Sequence, residues 1–123
     1  MASLDNRVFD NGLSVLDTEA NKIIITSQEP TTYTEANSTY ALGNSTSLSI
    51  GAPQDRSGGG REVVVAAITD GSVTASDTAT HYAIVDTVNS RLLATGSLSA
   101  TQVVTSGNTF TLSSVTIGIP DPA

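Results

Sequence analysis

The stretch THYAIVDTVNSRLLATGSLS, residues 80–99, narrows the possible folds more than any other, because two runs of β-forming residues flank the turn formers TVNS. With residues 87–90 as the loop, Asp86 stands opposite Arg91, Val85 opposite Leu92 and Ile84 opposite Leu93. An ion pair then closes the turn, and an exposed pair of this kind fixes register more than it adds stability. Side chains two apart share a face of a strand, so His81, Ala83 and Val85 go together and Tyr82, Ile84 and Asp86 go together.

Further strands are legible on either side. KIIITS (22–27) is short and β-branched and reads as a buried strand. TSLSI (46–50) alternates, with Leu48 and Ile50 on one face and hydroxyls on the other, as a strand with one wet side should. REVVVAAIT (61–69) is apolar at consecutive positions, which predicts a central strand buried on both faces; Asp70-Gly71 then predicts a turn and SVTAS a short strand. NTFTLSSVTIGI (108–119) breaks parity: Phe110 and Leu112 share one face, whereas Val115, Ile117 and Ile119 take the other. Either a β-bulge at Ser113-Ser114 absorbs the extra residue, or the strand bends from one sheet into another. Pro120 and Pro122 end it.

Helical signal is confined to the start of the chain. Phe9, Leu13, Leu16 and Ala20 form one stripe at helical spacing, against which stands the hairpin signal of Asn11-Gly12. We read a short N-terminal helix within residues 1–20, packed on the rest. Pro30 stops the first strand, and Thr32 with Glu35 has capping-box spacing, suited to a single helical turn on a loop. Serine and threonine make up about 28% of the chain while aromatic residues are scarce, a mixture that favours strands and turns. The expected fold is all-β, a jelly-roll-like antiparallel β-sandwich forming one domain over residues 1–123.

Composition then excludes several functions. A chain of 123 residues removes roughly two thirds of its surface from water on folding, so a core forms without staples. Cysteine is absent, which rules out disulfides, thiolate metal sites and thiol catalysis. No apolar run approaches the roughly 18 residues needed to span a bilayer, and MASLDNRVFDNG lacks the basic and apolar regions of a secretory signal. The net charge is -7 with Arg7, Lys22, Arg56, Arg61 and Arg91 as the only cations, so neither nucleic acid nor a membrane is an expected partner. Between Thr87 and Pro120 the only charged residue is Arg91, and a surface so neutral is suited to being covered by another protein, or equally to being the hydroxyl-rich wet face of a sandwich.

Residues that carry chemistry are few. His81 is the single histidine, and its strand places Asp86 on the opposite face, leaving Asp70 or Asp77 as partners from elsewhere. A hydrogen-bonded packing role suits it better than a catalytic one, since no second or third member of a triad accompanies it. Asp5, Asp10, Asp17 and Glu19 cluster without calcium-loop spacing, leaving only an irregular loop site open to that ion. Asn37 and Asn44 begin NST triplets, but glycosylation needs a secretory route. No catalytic residue, cofactor or metal ligand is therefore assigned. GAPQDRSGGGR (51–61) lacks the Gly-Lys-Ser/Thr and following helix of a phosphate loop. What remains is a connection of about ten residues, long for a compact domain, with a plain turn as the alternative to the projecting contact arm we read it as. Gln54, Asp55, Arg56 and Arg61 are its candidate protein-contact residues, the arginines poised to pair with acids on a neighbouring subunit.

SQEPTTYTEA (27–36), ITDGSVT (68–74), the hairpin from residue 80 to 96, SGNTFTL (106–112) and IGIPDP (117–122) together resemble small β-rich virion proteins of tailed bacteriophages. The resemblance spans most of the chain and carries no active-site residue with it. It implies a structural virion component made in the host bacterial cytoplasm, foremost a capsid decoration or cement protein. Its implied partners are the major capsid protein and copies of itself, in a homo-oligomer. A tail, neck or fibre-associated role is the alternative. A carbohydrate-binding module would use the same fold, but such sites stack sugars on exposed aromatics and the chain has no tryptophan, leaving Tyr33, Tyr40 and Tyr82 to serve.

Overall fold

The computed structural model describes residues 6–120, and the side chains of residues 10–120. The elements in chain order are α1 (Asn6–Glu19), β1 (Lys22–Thr26), a short π-helical turn (Glu35–Thr39), β2 (Ala41–Ser45), β3 (Gln54–Asp55), β4 (Arg61–Val65), β5 (Ile68–Val73), β6 (Asp77–Asp86), β7 (Arg91–Val104), β8 (Thr109–Leu112) and β9 (Val115–Ile119). Every strand pair is antiparallel and the chain is mostly β. These elements group into two compact units, one holding α1, Ser49–Ala67 and residues 113–120, the other Ala20–Leu48 and Ile68–Leu112.

The smaller unit is α1 with a three-stranded sheet in the order β3-β4-β9. The helix forms as the stripe predicts, burying Leu13 and Leu16, and the hairpin alternative at Asn11-Gly12 is not adopted. Phe9 of that stripe and residues 1–5 of the expected helical segment lie outside the described side chains and residues. In β4, Val63 and Val65 are buried and face the same way as their partners Ile117 and Val115 in β9, while Val64 is half-buried.

The larger unit is a six-stranded sheet in the order β7-β6-β1-β2-β5-β8. Its two outermost strands are consecutive in sequence. Laid flat, six strands at about 4.8 Å spacing would separate the edges by about 24 Å. The connection from Val104 to Thr109 spans about 17 Å at most. The sheet must curl, and Gln102 Nε2 of β7 donates to the Thr111 carbonyl of β8 at 2.9 Å across the gap. The connecting turn docks on the end of β5, where Gly107 N donates to Val73 O at 3.0 Å and Val73 N to Asn108 O at 2.9 Å.

Register puts Ile23, Ile25, Tyr82, Ile84, Gly43, Val73, Gly71 and Phe110 on one face of this sheet, and all are buried. On the opposite face Ile24, Ala83 and Val85 are buried too, because the segment between β1 and β2 folds over them and seats Ala36 among them. That segment is held by the Thr32 and Glu35 pair. Glu35 N donates to Thr32 Oγ1 at 3.1 Å as the capping spacing predicts, but the Glu35 carboxylate accepts from Thr31 N and Oγ1 at 2.8 and 2.7 Å and from Tyr40 Oη at 3.2 Å. Tyr40 N then donates to Glu35 O at 2.8 Å, the i to i+5 bond of a π-turn.

Several expectations need correction. TSLSI is not a strand beyond one bridge between Ile50 and Val65; the strand is Ala41–Ser45, ALGNS. Ser47 of that stretch finds its polar partners outside a ladder, its N donating to Ser45 Oγ at the end of β2 at 3.1 Å and its Oγ donating to Asp70 at 3.2 Å. REVVVAAIT is not one doubly buried strand but the whole of β4, central in its sheet, followed by the start of β5: β4 stops at Val65, Ala66 and Ala67 are exposed, and Ile68 begins β5 in the other sheet. Asp70-Gly71 is not a turn; the ladder shifts register between Ile68 and Gly71 and the strand continues. At Ser113-Ser114 the chain passes from the six-stranded to the three-stranded sheet, the second of the two alternatives. In the main hairpin Asp86 pairs with Arg91 and Val85 with Leu92, but Ile84 faces Ala94, so Leu93 is a bulge.

The hairpin turn is closed chiefly by Asp86, which is 2% exposed and accepts from Val88 N at 2.9 Å, Asn89 N at 3.3 Å and Asn89 Nδ2 at 2.8 Å. These bonds, led by the Asn89 side chain and aided at a distance by Arg91, hold its carboxyl below the ordinary 3.8. Bonds led by Thr31 likewise hold Glu35 below 4.5. A carboxyl whose folded pKa is depressed contributes its full stability above the unfolded pKa and loses it as pH falls through the folded value. Urea midpoints measured from about pH 7 to about pH 2 should therefore fall below pH 4.5, and the acid-side slope should flatten in Asp86→Asn and in Glu35→Gln. An unchanged slope in both variants would contradict the assignment.

Candidate functional site

The candidate contact arm is shorter and more ordered than the sequence implies. Gln54 pairs with Glu62 and Asp55 with Arg61, making a hairpin closed by residues 56–60. Arg56 N donates to Gly60 O and Gly59 N to Arg56 O, both at 3.1 Å. Gly58, Gly59 and Gly60 all have positive φ, at 88, 106 and 90°. At Gly60 a Cβ would also collide with the Ile119 carbonyl and stand 2.8 Å from Pro120 Cα, so this position has no alternative to glycine.

Arg61 is occupied within its own unit. Its Nε donates to Asp10 Oδ1 at 3.0 Å, its NH1 to Asp55 Oδ1 at 2.7 Å and its NH2 to the Pro53 carbonyl at 3.1 Å, with Asp10 Oδ2 at 3.4 Å. The Asp10 bond first and the Asp55 bond second raise its pKa above the ordinary guanidinium value. Only 17% of the side chain is exposed, so this arginine braces the hairpin against α1 before it can serve a neighbour. Arg56 lies across Gly118 of β9, where a Cβ would stand 3.0 Å from its Cδ, and NH1 donates to Gly59 O at 3.1 Å. Gln54 and Asp55 are exposed, and Gln54 Nε2 donates to Glu62 Oε2 at 3.1 Å. The four sequence candidates thus share one hairpin. Asp10, 51 residues from Arg61, carries no local signal that would have joined it to them.

A second feature lies on the larger unit. An open groove of about 310 Å³ is lined by Glu29, Pro30 and Thr31 and by the consecutive residues Leu92, Leu93, Ala94 and Thr95. Leu92 and Thr95 share the face of Val85 and Ala83, and Leu93 is the bulge beside Leu92, so the groove lies where the segment of Glu29, Pro30 and Thr31 passes the first half of β7. His81 stands nearby, but its partner is neither Asp70 nor Asp77: Nε2 is 3.9 Å from Glu29 Oε2 and Nδ1 is 2.8 Å from Thr80 Oγ1. Thr80 Oγ1 spends its proton on the Ser27 carbonyl at 3.0 Å, so Nδ1–H is the donor in the contact with Thr80.

Among the described residues no three His, Asp or Glu side chains gather as a metal site, and no helix is long and apolar enough to cross a membrane. Among the described side chains no aromatic is exposed: Tyr82 and Phe110 are buried, Tyr33 packs on the Ala36 cluster and Tyr40 is tied to Glu35. The sequence matches no family model, no curated protein and no solved structure.

Because three acceptors converge on the planar guanidinium, a point charge cannot replace it. Arg61→Lys and Arg61→Ala should both lower the urea midpoint and deprotect the amides of β3 in hydrogen exchange. Full restoration of both by lysine would show that charge alone matters at this position.

Proposed function

We propose that this chain is a structural component of a tailed-bacteriophage virion, a decoration or cement protein that binds the outer capsid shell as a jelly-roll-like β-sandwich. Its partners in this reading are the major capsid protein and further copies of itself, and its work is binding rather than catalysis. One observation carries the reading beside the sequence resemblance. On a chain of net charge -7, the stretch from Leu92 to Pro120 bears no charged side chain, and it includes a long strand with an unpaired edge.

Neutral surface on an acidic protein is where association costs least in desolvation and like-charge repulsion. A shell offers many equivalent sites, so modest contacts suffice when neighbouring copies also touch, and binding only the mature shell stabilises that shell by mass action. Acidic surface elsewhere discourages adhesion to packaged nucleic acid. The hairpin of residues 54–61 supports the same reading by holding Gln54 and Asp55 outward on a braced frame.

Quantitative mass spectrometry of purified virions tests this directly. Decoration predicts on the order of hundreds of copies per particle, set by shell symmetry. About a dozen or fewer moves the protein to the tail or neck, and its absence from virions refutes the proposal.

A further inference from the structure

Most strand edges in this protein are short or covered. β3 has two residues, β8 has four and accepts Gln102 through Thr111 O, and β9 has five and runs into Pro120. β7 differs, with 14 residues, no proline and no charge after Arg91. It pairs with β6 on one side only, and among the described residues none of the backbone hydrogen bonds outside the ladders involves residues 92–104. Bulges interrupt the strand at Leu93 and between Ser97 and Gln102, leaving a regular strip in which Ala94, Thr95, Gly96 and Ser97 face Ile84, Ala83, Tyr82 and His81. Natural sheets blunt such edges with lysine, proline or a covering segment. Here no ladder partner covers the edge, and the groove lined by Glu29, Pro30 and Thr31 lies beside it.

We infer that this edge pairs with the same edge of a second copy, antiparallel about a twofold axis near Ala94 and Thr95. The inference rests on the part of the reading above that makes the chain its own partner, and it names the surface. Charge selects the occupant and the direction. Each copy carries -7, and the strip between Leu92 and Ser97 bears no acid, so two copies approach there with least repulsion. Arg91 marks one end of the strip. Glu29 marks the other, since it lies 3.9 Å from His81, whose cross-strand partner is Ser97. Those ends are six residues apart, about 20 Å along a strand. Antiparallel pairing brings Arg91 of each copy to the Glu29 end of the other, whereas parallel pairing sets like charge beside like. The isologous arrangement repeats each favourable contact twice.

Sedimentation velocity of the purified full chain over about 1–100 μM should show a reversible dimer. Glu29→Arg, on an exposed loop, and Arg91→Glu should each weaken the dimer about tenfold or more, and combining them should restore it. Thr95→Cys, placed in a chain without cysteine, should yield a disulfide-linked dimer under mild oxidation. A monomer throughout, a dimer indifferent to both charge reversals, or Thr95→Cys that fails to cross-link in a dimer would overturn the interface. A monomer in solution leaves the virion copy number unaffected, and absence from virions leaves the dimer unaffected, so the two proposals fail separately.

Discussion

Tyr82 places its ring where the side chain of its cross-strand neighbour Gly96 would stand, and Phe110 does the same over Gly71, on the same face of the same sheet. A Cβ at Gly96 would lie 2.6 Å from the Tyr82 ring, and one at Gly71 would run into Phe110. Neither glycine has a positive φ, so what each supplies is space rather than an unusual backbone. The two pairs are set symmetrically in the sheet, one joining β7 to β6 and the other joining β8 to β5, the outermost pair on either side. Removing a side chain from the concave face and filling the gap with a neighbour's ring is how a sheet is made to bend without leaving a void. The short turn between β7 and β8 and the Gln102 bond across the gap require that bend.

The rest of the larger unit follows from it. A curled sheet buries one face against itself, which accounts for Ile23, Ile25 and Ile84 at 1% exposure or less. The outer face of β1 and β6 would stay wet, and the segment from Pro30 to Tyr40 covers it with Ala36, Tyr33 and a π-turn pinned by Glu35. Covering stops there. Leu92 of β7 packs at the margin of that cover, and the outer edge of β7, the outermost strand, has no ladder partner. The smaller unit solves a different problem, using Arg61 to tie a glycine hairpin to α1.

What was legible in the sequence was local. The turn at residues 87–90, the register of its first two pairs, the buried β1 and the parity break at Ser113-Ser114 all follow from alternation and turn chemistry within about a dozen residues, whereas the choice there between a bulge and a change of sheet is made by the sheet order. ALGNS escaped because it reads as a weak strand in isolation. Its Gly43 is there to let β5 approach, with Val73 Cα 3.1 Å from where a Cβ would be. REVVVAAIT misled because β4 and the start of β5, which belong to different sheets, are nearly contiguous in sequence and look like one doubly buried strand. Arg56 and Arg61 were legible as members of one loop. That Arg61 is spent on Asp10, 51 residues away, is a tertiary fact without a local trace. The neutral run after Arg91 was visible, but only the sheet order shows that part of it is an edge.

The ring-on-glycine pairs are tested most directly by a double-mutant cycle at Gly96 and Tyr82, read as unfolding free energy in urea. With Tyr82 present, Gly96→Ala should cost about 1–3 kcal/mol through overpacking. With Tyr82→Ala the added methyl should be neutral or mildly stabilising, giving a coupling of about 1 kcal/mol or more. If Gly96→Ala has the same effect with and without the ring, glycine at this position makes no room for Tyr82 and the curl has another cause.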